Sequence, residues 1–154
     1  MGRWGRAEFE EFRRFAEQFK ALDVDALCVA CAKELAARLL ALVIPATPVG
    51  KYPKSSGKKG GTLRRGWGAK SGKDAAGYAQ SLTVTKTGED YRIEIVNPVE
   101  YASYVEFGHR TVDGGWAEGR YMLTVSEEKL RRIAPGVLEK KLLEALRKVC
   151  NGGN

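Results

Sequence analysis

The chain reads as α+β: a small antiparallel β-sheet flanked by a long N-terminal helix and a C-terminal helix, with a long basic glycine-rich loop. Three observations predict this. Apolar residues recur at three- and four-residue steps over 7–44 and again over 137–149. Between those spans, 78–97 alternates apolar and polar residues. The segment 49–73, VGKYPKSSGKKGGTLRRGWGAKSGK, holds seven glycines and no acidic residue, a composition suited to a flexible loop over about 49–75.

Each element follows in order. Phe9, Phe12, Phe15 and Phe19 form one apolar stripe over 7–21, with Glu8, Glu10 and Glu11 in the first turns, where acids favour a helix start. LDVD interrupts the pattern, and Asp23 or Asp25 caps a second helix running to about Ile44. Leu27, Cys31, Leu35, Leu39 and Leu42 make its stripe, and Pro45 and Pro48 end it. Within the basic loop, Leu63 and Trp67 stand four apart, the spacing of one helical turn that anchors it. Strands over 78–86 and 91–97 pair as a hairpin through the turn TGED. Asn97, Pro98 and Glu100 carry helix-start chemistry for PVEYASYVEF, with Glu100 closing a capping box, Gly108 as the left-handed stop and His109 just beyond the helix end. A loop over 110–120 precedes a short strand at 121–125. Thr124 and Glu127 form a second capping box for a helix over 125–133. Pro135 and Gly136 separate it from a last helix over 137–149, and 150–154 frays.

The length of 154 residues suits one domain, 1–154. Hydrophobic residues at 44% and charged residues at 29% fit a globular chain. No apolar run is long enough to span a membrane, and MGRWGRAEFEEF lacks the apolar core of a secretory signal, so synthesis in a reducing cytoplasm is expected. Three cysteines, Cys28, Cys31 and Cys150, argue against a disulfide framework. Cys28 and Cys31 form a C-x-x-C, but inside a helix pattern and without a second ligand pair, so they read as small packing residues.

The net charge of +7 comes from one place. Lys51, Lys54, Lys58, Lys59, Arg64, Arg65, Lys70 and Lys73 lie in the basic segment, which leaves 18 of the 26 basic residues against all 19 acidic ones. Such a loop fits a phosphate backbone, with Tyr52 and Trp67 available for stacking, or an acidic protein face. Catalysis has little to build on. His109 is the single histidine, and no G-x-S-x-G, Walker or dinucleotide pattern is present. No catalytic residue, metal site or cofactor is predicted.

Three segments together, TPVG…GGTLRRGW over 47–67, VNPVEYASYVEFGHR over 96–110 and GRYML over 119–123, resemble the head–tail joining or tail-completion (neck) proteins of long-tailed bacteriophages. The middle segment is the specific one. GKYPKSSGKKG widens a link that is short in the family, and GRYML stands where a proline-flanked aromatic motif is commoner. The resemblance implies a virion protein of the neck, made in the bacterial cytoplasm, that works by assembly and not by catalysis. It implies an oligomeric ring, commonly of six copies, between portal or connector proteins and tail-terminator or tail-tube proteins. The basic loop then faces DNA non-specifically or docks on an acidic neighbour. Trp67, Glu106, His109, Arg110 and Trp116 become candidate subunit-interface residues, with Glu106 and Arg110 as inter-subunit pairs. The alternative is a small basic nucleic-acid-binding module.

Overall fold

The computed structural model describes residues 4–68 and 74–152. Its elements run α1 (Trp4–Lys20), α2 (Val24–Ala46), a 3-10 turn (Lys54–Ser56), α3 (Thr62–Gly66), α4 (Ala75–Ser81), β1 (Val84–Thr87), β2 (Asp90–Ile93), α5 (Ala102–Phe107), β3 (Gly108–Arg110), β4 (Trp116–Glu118) and α6 (Met122–Asn151). The fold is α+β as expected. The strands form two separate antiparallel hairpins, β1–β2 and β3–β4, in place of one sheet.

Helix α2 is the central rod, packed against α3, α4, α6 and the β1–β2 hairpin. Its start follows the cap: Asp23 Oδ1 accepts from Ala26 N at 2.9 Å. Because partners surround it, its buried residues are Ala36, Leu40 and Val43, while the expected stripe residues Leu27, Leu35 and Leu39 are only half-buried. Leu63, Trp67, Ala79 and Met122 complete the core.

Several expected boundaries shift for physical reasons. Helix α2 runs one residue past Pro45, which sits in the last turn. Residues 78–81 are helical, because Asp74 accepts from Gly77 N at 2.7 Å and starts α4; the strand begins only at Val84. The hairpin turn is Gly88-Glu89, with Gly88 at φ +63°. β2 ends at Ile93, where β1 runs out of partners, although the in–out alternation continues to Val99. Asn97 is not a helix cap: α5 starts at Ala102, and the Asn97 amide instead donates to Leu63 O at 2.8 Å. The expected strand at 121–125 is instead the start of α6, whose first residue is Met122, and α6 continues through Pro135 as one helix. Pro135 has no N–H to give the Arg131 carbonyl, and both residues are exposed, while α6 packs against α2.

One surface cluster ties the hairpin to α2. Lys86 Nζ lies 2.7 Å from Asp25 Oδ1, and the Tyr91 hydroxyl donates to the same oxygen. These contacts, Lys86 first, hold the Asp25 carboxyl below its ordinary range. A depressed folded-state pKa stabilises above the unfolded value and the benefit is lost as pH falls through the folded one. Asp25→Asn should therefore unfold at slightly lower urea than the wild type at about pH 7, with the gap closing as pH falls through the folded-state value, which lies below the ordinary carboxylate range. The site is exposed, so the gap is small.

Candidate functional site

The end of α2 is locked to the α3 turn of the basic segment. Thr47 is 0% exposed; its hydroxyl donates to Val43 O at 2.7 Å and accepts from Trp67 Nε1 at 2.8 Å. The Arg64 guanidinium donates to Thr47 O at 3.0 and 2.7 Å and to Pro45 O at 3.3 Å. A cation on the last carbonyls of a helix satisfies orphan acceptors and opposes the negative end of its dipole. Arg65 turns back onto Gly60 O at 3.2 Å and Thr62 Oγ1 at 3.4 Å.

A second lock joins α5 to α6. Glu106 is 5% exposed, and its carboxylate accepts from Leu123 N at 2.9 Å, Thr124 N at 2.9 Å and Thr124 Oγ1 at 2.6 Å. Tyr121, the residue before α6, makes no side-chain cap and has φ +47°, so Glu106 caps the helix from across the fold. The chain can pass close enough because two glycines face each other. A Cβ on Gly108 would lie 2.5 Å from Ala117 O, and one on Gly119 would lie 2.5 Å from Glu106 O. Arg120 N and Tyr121 N then donate to Val105 O and Glu106 O at 2.7 and 3.0 Å.

Between the two locks lies an open groove of about 430 Å³. Tyr52 and Lys59 come to it from the basic loop, Tyr101 and Tyr104 from the α5 segment, His109 from β3 and Arg120 from the chain before α6. The three tyrosines are exposed, Tyr104 by 58%. The His109 ring lies against Tyr104, centroids 5.5 Å apart. Beside the groove, β3 and β4 project as a hairpin in which Arg110 pairs with Trp116, itself 56% exposed.

Of the three sequence segments that converge here, 47–67 falls within a family match, 96–110 falls within it as far as Gly108, and 119–123 lies outside it. The model of the family described as "Bacteriophage HK97-gp10, putative tail-component" matches residues 10–108. The chain belongs to this HK97-gp10-like family of phage tail components. No curated protein and no solved structure gives a significant match. The matched span ends at Gly108, so in this family member β3 beyond its first residue, β4 and α6 lie outside it.

The structure sorts the expected site residues of this HK97-gp10-like chain into three groups. Trp67 and Glu106, expected at a subunit interface, are buried and engaged within the subunit. Within the subunit the Glu106 carboxylate already holds three donors. Arg64 and Arg65 bind backbone carbonyls of their own chain. Lys51, Lys54, Lys58, Lys59, His109, Arg110 and Trp116 are exposed. Lys70 and Lys73 lie outside the described residues. Reading by sequence missed Thr47 and Arg120, and it paired Thr124 with Glu127, whereas Thr124 donates to Glu106. Thr47 carried a signal, since a hydroxyl directly after an apolar helix and before Pro48 is placed to receive the indole of Trp67.

Cys28 and Cys31 are half-buried on α2, and burial, then the neighbouring Cys28, pushes the Cys31 thiol up, away from thiolate chemistry. Among the described residues, no group of three or more His, Cys, Asp or Glu side chains is placed to hold a metal ion.

Proposed function

We propose that the chain is a structural protein of the phage head–tail interface, a tail-completion or neck component that acts by assembly and not by catalysis. The family match over 10–108 carries this reading. The neighbours we assign are the portal or connector on one side and the tail-terminator or tail-tube protein on the other, with the chain itself forming a ring, six copies being the expected number.

A closed ring uses head-to-tail contacts between two different faces of one subunit. Two unlike exposed surfaces, one apolar and one mixed, support that arrangement. One is α1, where Phe12, Phe15 and Phe19 stay exposed, Phe12 by 67%, alongside Leu138 and Leu142 of α6. The other is the β3–β4 hairpin with Trp116, Arg110 and the adjacent His109. Exposed apolar area of this extent is a mark of association surfaces.

Deleting the gene should leave DNA-filled heads and separate, complete tails in electron micrographs. Complementation with Trp116→Ala or Arg110→Ala should restore fewer joined particles than the wild-type gene does. Normal joined virions from the deletion would overturn the assignment.

A further inference from the structure

Residues 51–59 form a closed excursion from the fold. Their flanks meet at a neck: a Cβ on Gly60 would lie 2.0 Å from Gly50 O, an approach only glycine permits. All nine residues are exposed. The excursion has internal order from the Lys54–Ser56 turn, from Ser56 Oγ donating to Pro53 O at 2.7 Å, and from Lys58 Nζ placed 5.9 Å above the Tyr52 ring. A compact loop with joined ends is an Ω-loop, added to a scaffold without being part of its core.

Its charge is one-signed. Lys51, Lys54, Lys58 and Lys59 stand here without an acidic residue. Elsewhere Lys86 and Lys141 reach carboxylates, but among the described residues none of these four does. Pinching both ends of the loop keeps four like charges close together, which costs repulsion that a bound polyanion relieves. The patch continues into the groove: Lys59 and Tyr52 share it with Arg120, His109, Tyr101 and Tyr104, and Glu118 is the one carboxylate of that lining.

We infer that this Ω-loop and the tyrosine groove beside it bind nucleic acid through its phosphodiester backbone. Lysine is depleted in protein–protein interface cores, whereas lysines beside exposed aromatic faces are what a backbone-tracking, sequence-tolerant surface needs. The inference does not depend on the neck assignment, because it concerns binding by the isolated chain.

The test is fluorescence anisotropy of labelled DNA, duplex and single-stranded, titrated with the full chain across a salt series. Binding should be measurable at about 50 mM salt and should weaken steeply as salt rises. The variant carrying Lys51→Gln, Lys54→Gln, Lys58→Gln and Lys59→Gln should bind about tenfold or more weakly. Its log–log salt slope should be shallower by roughly 3. Excising 51–59 and joining Gly50 to Gly60 should abolish binding while circular dichroism and Tm stay near wild type. If Tyr104→Ala weakens the single strand more than the duplex, the groove takes unstacked bases. If it affects neither, the groove's part in the inference is overturned and the loop's backbone contact alone stands. Wild-type affinity in the four-lysine variant would overturn the inference. So would full displacement of DNA by polyglutamate at equal charge, which would mark the loop as a surface for acidic proteins.

Discussion

Glu106→Ala should be the most damaging single substitution on the α5 side of the molecule, costing about 3 kcal/mol or more and lowering Tm by about 10 °C. The side chain is 5% exposed and holds two amides and one hydroxyl at the start of α6. Removing it takes the acceptor from the part-buried Leu123 and Thr124 N–H groups and withdraws a negative charge from the positive end of a 30-residue helix. Glu106→Gln keeps the shape but turns its NH2 toward one of the donors, so about half the loss is expected. Glu127→Ala, which removes an exposed carboxylate one turn further along α6, should change stability by less than about 0.5 kcal/mol. Equal urea midpoints for Glu106→Ala and Glu127→Ala would sink this account of the lock.

Sequence patterning made the main helices, the β1–β2 hairpin and the Leu63–Trp67 turn legible, because each depends on local period or local turn chemistry. It failed where a partner distant in sequence decides the outcome. The YMLTV segment over 121–125 looks like a short strand locally, yet Glu106, seventeen residues before Leu123, caps it into a helix. Pro135-Gly136 looks like a break, yet α6, packed against α2, continues through it. The same limit explains the site. YASYVEFGHR was the informative stretch, but its Glu and Gly serve the scaffold: Glu106 caps α6 and Gly108 admits the backbone of 117–119. The exposed side of the same stretch carries Tyr101, Tyr104 and His109, along the groove. Likewise the basic segment is two things. Arg64 holds α2's last carbonyls, whereas the lysines of 51–59 face solvent. Charge counting cannot separate them, since it does not show which cations have carbonyls to bind.

The scaffold half of that segment yields the second large expected effect. Trp67→Ala should cost about 3–5 kcal/mol, because it empties a core position shared with Leu40, Val43 and Leu63 and leaves a cavity that rigid neighbours fill only in part. The indole also has a polar role that volume alone does not capture. Its Nε1–H donates to Thr47 Oγ1, and that hydroxyl donates onward to Val43 O, so the two bonds form a chain from α3's end to α2's last turn. Trp67→Phe keeps most of the apolar area and loses one bond, so about 1–2 kcal/mol is expected. Thr47→Val keeps the volume but leaves the buried indole N–H without its acceptor, with a comparable cost. Because both substitutions break the same bond, the double variant should be less destabilised than the two single losses added together. Strict additivity in urea titrations would mean the Trp67–Thr47 bond contributes nothing, and the link between the basic segment and the core would then rest on Leu63 and the Arg64 contacts alone.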